Sequence, residues 1–148
     1  LVAETEWRWR VDGVPKGQPR PRAFARRTVD GGIVARVHDA GTAEAWKGAV
    51  ALAARPIRPS APIERPVRVE VAFLLPRPRT LYRRRDPEGE VVSFARPDLD
   101  NLVKAVLDAL TVDGWWRDDA LVAELLATKG YHGKDGRPGA RIRIRRLE

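Results

Sequence analysis

Between positions 98 and 119 the chain carries six aspartates (Asp98, Asp100, Asp108, Asp113, Asp118 and Asp119) against two bases, Lys104 and Arg117. That stretch is −4 in a chain of +8, which leaves +12 for the remaining residues. A concentrated acidic spot inside a basic protein is the layout expected of a metal-dependent nuclease. The basic surface attracts phosphates, and the carboxylates hold a cation that bridges protein and phosphate. Without the cation, the same carboxylates would repel the substrate.

The spacing fits that chemistry. Asp98 follows Pro97 and precedes an apolar-periodic stretch, so it sits at or near a helix N-cap. Asp100 then lies in the first turn, and a shared hard cation would offset the repulsion of two close carboxylates. Lys104 stands four residues after Asp100, on nearly the same side of the helix. Asp118 and Asp119 follow a turn that can swing the chain back to the helix start. Aspartates without histidine or cysteine suit Mg²⁺ or Mn²⁺ and argue against zinc. Taken singly, each aspartate has a plainer reading: Asp98 a cap, Asp100 a dipole or surface partner of Lys104, Asp108 a solvated position, Asp113 a turn residue. It is their grouping around one helix that points to a metal site.

Composition narrows the class. The chain has 148 residues, enough for one domain with a real core and too few for two. Of its 28 basic residues, 23 are Arg and 5 are Lys, and the 43% hydrophobic content excludes a disordered polycation. There is no cysteine, so disulfides, zinc ribbons and thiol nucleophiles are excluded, and with only His38 and His132 a three-histidine zinc site is impossible. No apolar run approaches the ~20 residues that cross a bilayer. The mixed, charged N-terminus does not read as a signal peptide, and the absence of Met at position 1 suggests a trimmed or recoded start. The charge itself points to a polyanion, nucleic acid first and an acidic membrane surface second.

The elements that must position these residues follow from periodicity. Residues 6–11 alternate, with Trp7, Trp9 and Val11 on one side, and residues 67–75 alternate with Val67, Val69, Val71, Phe73 and Leu75 inward; both read as strands. Between them lies a Pro-, Gly- and Arg-dense loop with short extended pieces at most, then a helix over 43–55. Thr42 is its plausible N-cap, Ala45, Trp46, Ala49, Val50 and Ala53 form its stripe, and Pro56 ends it. A second basic loop covers 76–90. Leu99, Leu102, Val103, Val106, Leu107 and Leu110 mark a helix over 99–110, closed by the Asp113-Gly114 turn. Residues 120–129 fit a helix or a buried strand. The last segment is a strand with Ile142 and Ile144 opposite Arg141, Arg143 and Arg145. The order is β, α, β, α, (β), β.

The stretch RPDLDNLVKAVLDALTVDGWWRDDALVAEL strongly resembles the signature of RusA-type Holliday junction resolvases. An Asp-x-Asp-Asn pair opens a helix that carries Lys and a later Asp-Ala-Leu, and an Asp-Asp pair follows an aromatic-containing turn. Asp98, Asp100, Asn101, Lys104, Asp108, Ala109, Leu110, Asp118 and Asp119 fall in register. The early segment VPKGQPRPRAFAR also looks like the family's Pro-rich basic N-terminal stretch. The resemblance implies one α/β (α+β) domain over residues 1–148, a small mixed sheet of about four strands with two main helices, and a strand at 120–129. It implies a homodimer that cuts four-way DNA junctions with paired nicks using Mg²⁺ or Mn²⁺, working in the cytoplasm. It maps the essential acids, the metal ligands, onto Asp98, Asp100 and Asp119, and a functionally important lysine onto Lys104. This chain departs in having Arg96 before Pro-Asp, where the family often has Lys, and in its own composition over loop 76–90.

On that reading Arg20, Arg22, Arg77, Arg79, Arg83, Arg84, Arg85 and Arg96 are the candidate DNA contacts, joined by the arginines of the last strand, and affinity should be salt-dependent. Trp115 and Trp116 either stack on an unpaired base or fill the core, with the core favoured, and Phe94 has the same two readings. Alternatives are a fork or flap nuclease with the same acidic site, and a non-catalytic junction-binding protein.

Overall fold

The structure, a computed structural model, describes residues 5–19, 22–38 and 43–148. Seven strands and two helices follow in the order β1 (Glu6–Asp12), β2 (Arg22–Arg27), β3 (Ile33–His38), α1 (Glu44–Ala54), β4 (Val67–Leu75), β5 (Val91–Val92), α2 (Leu99–Val112), β6 (Val122–Tyr131) and β7 (Gly139–Arg146). Five strands form one mixed sheet in the order β1-β7-β4-β6-β5, and β2 and β3 form a separate antiparallel pair. The sheet is thus one short strand larger than expected, and part of the first basic loop is a hairpin. Residues 120–129 resolve as the expected strand, preceded by a 3-10 turn over Asp119–Leu121.

Alternation sorts the sheet into two faces. Trp7, Val11, Val67, Val69, Val71, Phe73, Ala140, Ile142 and Ile144 are buried on one face, where both helices pack. From α2, Leu102, Val103, Ala105, Val106, Ala109 and Leu110 point into this core, with Leu99 and Leu107 at its margin. From α1 the buried residues are Trp46, Val50 and Ala54, whereas Ala45 is exposed. Residue 43 takes the N-cap place without a side-chain bond, and Thr42 lies outside the described residues. Pro56 does not stop the chain abruptly; it sits in a 3-10 turn over Arg55–Ile57 that continues α1. Trp115 and Trp116 are buried: Trp115 stacks on Trp9 at 5.1 Å and meets Trp7 edge-on at 5.9 Å, and Trp116 donates to Thr111 Oγ1 at 2.7 Å. Gly114 has φ +88, which the tight turn after α2 requires and a residue with a Cβ resists.

The other face is charged and internally paired. Arg143 bonds Glu6 at 2.8 Å and Glu70 at 3.3 Å, Arg141 bonds Glu90 at 2.7 Å, Arg68 bonds Glu70 at 3.0 Å and Glu124 at 3.2 Å, and Arg137 bonds Asp12 at 2.8 Å. Arg141 and Arg143 of the last strand are therefore neutralised by carboxylates of the same chain. The Arg143 and Arg8 guanidiniums hold the Glu6 carboxyl down to about 2, and Arg141 lowers Glu90 in the same way.

A depressed carboxyl contributes stability that is present above its unfolded value and lost as pH falls through its folded one. Thermal stability is expected to decline on acidification from about 4.5 toward about 2. Glu6→Gln should flatten that decline, as followed by melting curves across the interval; an unchanged profile would show that the Glu6 pairs contribute nothing.

Candidate active site and nucleic-acid surface

Asp98 is the N-cap residue of α2, with extended backbone and no side-chain bond to the helix, so its exposed carboxylate is not engaged in capping. Asp100 stands in the first turn, exposed, and its Oδ1 accepts the Asn101 N–H at 2.9 Å. Two carboxylates thus share the positive end of a 14-residue helix. Lys129 of β6 reaches this end as well, donating Nζ to the carbonyls of Ala95 at 2.5 Å and Pro97 at 3.0 Å. The segment after β1 lies against the same turn. Gln18 N–H donates to the Asn101 carbonyl at 2.9 Å, and a Cβ on Gly17 would stand 3.1 Å from that of Asn101. An open cleft of about 680 Å³ results, with Lys16, Gln18, Arg96, Asp98, Asn101 and Tyr131 on its walls. The Pro-rich segment and the acidic helix end are therefore two sides of one depression.

Asp119 lies elsewhere. β4 and β6 pair in parallel, with Val67 opposite Val122 and Leu75 opposite Tyr131. The connecting helix α2 must run antiparallel to both strands, so its ends sit at opposite ends of the sheet. Its start is tied to the β6 terminus by Lys129, and its finish to the approach of β4, where Ile63 N–H donates to the Trp115 carbonyl at 2.8 Å. Fourteen helical residues span about 21 Å. The turn after α2 leads into β6 and does not return to the helix start, which corrects the expected swing. Asp118 caps the 3-10 turn by accepting the Ala120 N–H at 2.9 Å, and half-buried Asp119 begins that turn. Among the described residues no group of three acidic, histidine or cysteine side chains could hold a metal ion. One chain supplies Asp98 and Asp100 at one end and Asp119 at the other.

The remaining aspartates, Asp108 on α2 and Asp113 just after it, face basic partners. Asp113 accepts Arg58 at 3.1 Å, with Arg55 at 3.9 Å, and joins α2 to the end of α1. Asp108 stands 3.9 Å from Lys104, whose exposed ammonium lies one turn beyond Asp100.

The basic residues divide by environment. Arg79, Arg83, Arg84, Arg85 and Arg96 are exposed; Arg20 lies outside the described residues, and Arg22 begins β2 with its side chain outside them. Arg77 corrects the expected set, because it is buried. Its guanidinium donates to the carbonyls of Leu81 at 2.9 Å, Gly89 at 2.8 Å, Pro87 at 2.6 Å and His132 at 3.3 Å, and it lies over the Tyr82 ring. Loop 76–90 is wrapped around this cation, which holds Arg79 and Arg83–Arg85 outward. His132 is the loop's second anchor, its Nε2 accepting the Arg77 N–H at 3.3 Å. Lys134 fastens the far side, donating to the Arg83 carbonyl at 2.8 Å and to Glu88 at 3.0 Å. Phe94, four residues before Asp98, is fully exposed. Sequence reasoning missed Lys16, Lys129 and the interior role of Arg77; the one signal for Arg77 was its place directly after a buried strand, between two prolines.

The model of the family "Endodeoxyribonuclease RusA" matches residues 12–145. The chain belongs to the RusA endodeoxyribonuclease family. It is 32% identical over 128 residues to the uncharacterized protein YqaN of Bacillus subtilis (strain 168), an alignment that spans 82% of this chain and 84% of that protein. It is also 52% identical over 42 residues to the crossover junction endodeoxyribonuclease RusA of Escherichia coli (strain K12), which spans 28% of this chain and 35% of that protein. The mixed sheet with two helices is the scaffold of this RusA-family chain, and no helix among its described residues is long and apolar enough to cross a membrane.

Arg77→Ala should loosen loop 76–90 without unfolding the sheet. Four carbonyls would lose their donor, at a cost of about 1–3 kcal/mol. Limited trypsin digestion should cut at Arg83–Arg85 at least several-fold faster than in the wild type; equal cutting would mean the loop holds itself without Arg77.

Proposed function

We propose that this chain is a Mg²⁺-dependent, structure-specific endodeoxyribonuclease that resolves four-way DNA junctions by paired nicks as a homodimer, in DNA recombination and repair. The observation that carries the reading is the exposed Asp98 on a cleft flanked by Lys16 and Arg96, with exposed Asp100 in the first turn of the same helix, in a chain of the RusA family. Carboxylate oxygens are the donors Mg²⁺ or Mn²⁺ takes. A single chain does not complete the set, since Asp119 lies a helix length away. A second copy arranged about a two-fold axis can bring its Asp119 to the first copy's Asp98 and Asp100, and by symmetry the reverse. Two equal sites then face two opposed strands of a near-symmetric junction.

When bound, the cation would activate water and neutralise charge on the scissile phosphate. The chain's own residues do the rest. Asp98 and Asp100 orient hard oxygen ligands at a rigid helix end. Lys104 adds fixed positive charge one turn away. Lys129 holds the carbonyls of Ala95 and Pro97 and so positions the chain that bears Asp98. Arg79, Arg83, Arg84, Arg85 and Arg96 offer exposed cations to phosphates, as do Arg20 and Arg22 on the sequence reading.

Asp100→Asn should lower junction cleavage in Mg²⁺ by about 100-fold or more while junction binding is preserved or tightened. Cleavage at the wild-type rate would overturn the assignment, and equal nicking of a fork or linear duplex would overturn the junction specificity.

Mixing Asp98→Asn with Asp119→Asn protein tests the shared site. Each alone should be inactive. In the mixture, heterodimers retain one site with all three aspartates, so nicking should return to about a quarter of the wild-type rate. No recovery would mean that each site is built within one chain.

A further inference from the structure

We propose that the Phe94 ring is a stacking platform for an unpaired nucleobase, held close to Asp98, and that it gives the site its preference for branched over continuous DNA. This role rests on the nuclease reading above and supplies it with a source of structural selectivity. Residues 91–98 run from β5 to the start of α2 with alternating exposure. Val92, Phe94, Arg96 and Asp98 are exposed, whereas Val91, Ser93, Ala95 and Pro97 are buried or half-buried. A ring, a guanidinium and a carboxylate therefore follow one another at every second residue on the solvent side. Four residues of chain span at most about 14 Å. Phe94 thus lies within about four base steps of Asp98, on a DNA strand that rises about 3.4 Å per base. The backbone under the ring is fixed on both sides. Ser93 N–H donates to the Lys129 carbonyl at 3.4 Å, and Ser93 Oγ accepts the Ala95 N–H at 3.1 Å. Lys129 Nζ donates to the carbonyls of Ala95 and Pro97. Isolated exposed apolar side chains are common on protein surfaces, but this one stands on an anchored turn beside a cation and a candidate metal ligand.

The occupant follows from the neighbours of the ring. Trp115 and Trp116 are buried and cannot stack on a base, and Tyr82, the other exposed aromatic among the described residues, lies under the Arg77 guanidinium. A protein partner would need an apolar surface, since a stable interface covers about 800 Å² on each side. Along residues 91–98 the exposed apolar side chains are Val92 and Phe94 alone. A nucleotide needs less: a flat ring for its base and a cation for its phosphate, which Phe94 and Arg96 offer two residues apart. In continuous duplex the bases cover one another's faces, so the ring finds no partner. At a branch point the stack is interrupted and a base face is free. Stacking there brings the neighbouring phosphates toward Asp98. The contact selects structure and not sequence, because every base has such a face.

Phe94→Ala, Phe94→Leu and Phe94→Trp in the full chain test the ring. Binding to a synthetic four-way junction and to a linear duplex of matched length is measured in EDTA, where no strand is cut. Phe94→Ala and Phe94→Leu should bind the junction about 5- to 100-fold more weakly than the wild type, and the duplex within about twofold of it. Phe94→Trp should keep the junction preference, and the fluorescence of its added indole should be quenched by the junction and not by the duplex. Far-ultraviolet spectra and self-association in sedimentation equilibrium should be unchanged in all three. A junction preference that survives Phe94→Ala or Phe94→Leu overturns the stacking role and leaves the nuclease reading standing. A wild type that binds junction and duplex equally overturns the junction reading and the stacking role together. Weakened self-association in Phe94→Ala would show that the ring packs against a second copy, which also overturns the proposal.

Discussion

The parallel pairing of β4 with β6 is the constraint on which the rest of the molecule depends. Parallel neighbours need a crossover, and the crossover here is α2, packed over the sheet by Leu102, Val106 and Leu110. A helix in that position reverses direction relative to its strands, so its start lies over their finish. Every acidic residue near α2 inherits its place from this geometry. Asp98 and Asp100 stand at the end where β4 and β6 finish, and Asp118 and Asp119 at the end where they begin. The separation is set by helix length, which side-chain rotation cannot close.

The distribution of arginine shows a second economy. The sheet's outer face is rich in arginine, yet its guanidiniums meet Glu6, Glu70, Glu90, Glu124 and Asp12, so that face carries little net charge. The excess positive charge is concentrated in the loops. Arg77 is the hinge of this division, because one buried guanidinium satisfies carbonyls from several turns of loop 76–90. A Pro- and Arg-dense loop with no regular structure is thereby held in one conformation. Its remaining arginines face water on a shaped surface and do not collapse onto the sheet.

The cleft at the start of α2 combines parts that are distant in sequence. Lys16 and Gln18 arrive from the segment after β1, Tyr131 and Lys129 from the end of β6, and Arg96 from the approach to the helix. Close approach at Gly17 lets the early segment lie on Asn101. Lys16 and Arg96 thus share the cleft with Asp98, and among the described residues no ion pair engages the Asp98 carboxylate. This arrangement is compatible with binding a cation and a phosphate together.

Much of the fold is set by local pattern. The period-2 alternation of β1, β4 and β7 and the apolar stripe of α2 identify those elements because each has one buried face. Residues 122–131 lack a clean alternation, since one flank is an open edge, so periodicity leaves helix and strand equally open there. The type and spacing of Asp98, Asp100, Lys104 and Asp119 carry the resemblance to the family, because the motif lies within one short stretch of the sequence. Whether those residues meet is decided by the path of the chain. The sense of β4–β6 pairing, the burial of Arg77, the capture of Arg141 and Arg143 by carboxylates and the approach of Lys129 to Pro97 all join residues far apart in sequence. Such contacts arise only when the sheet closes, and no local spacing encodes them.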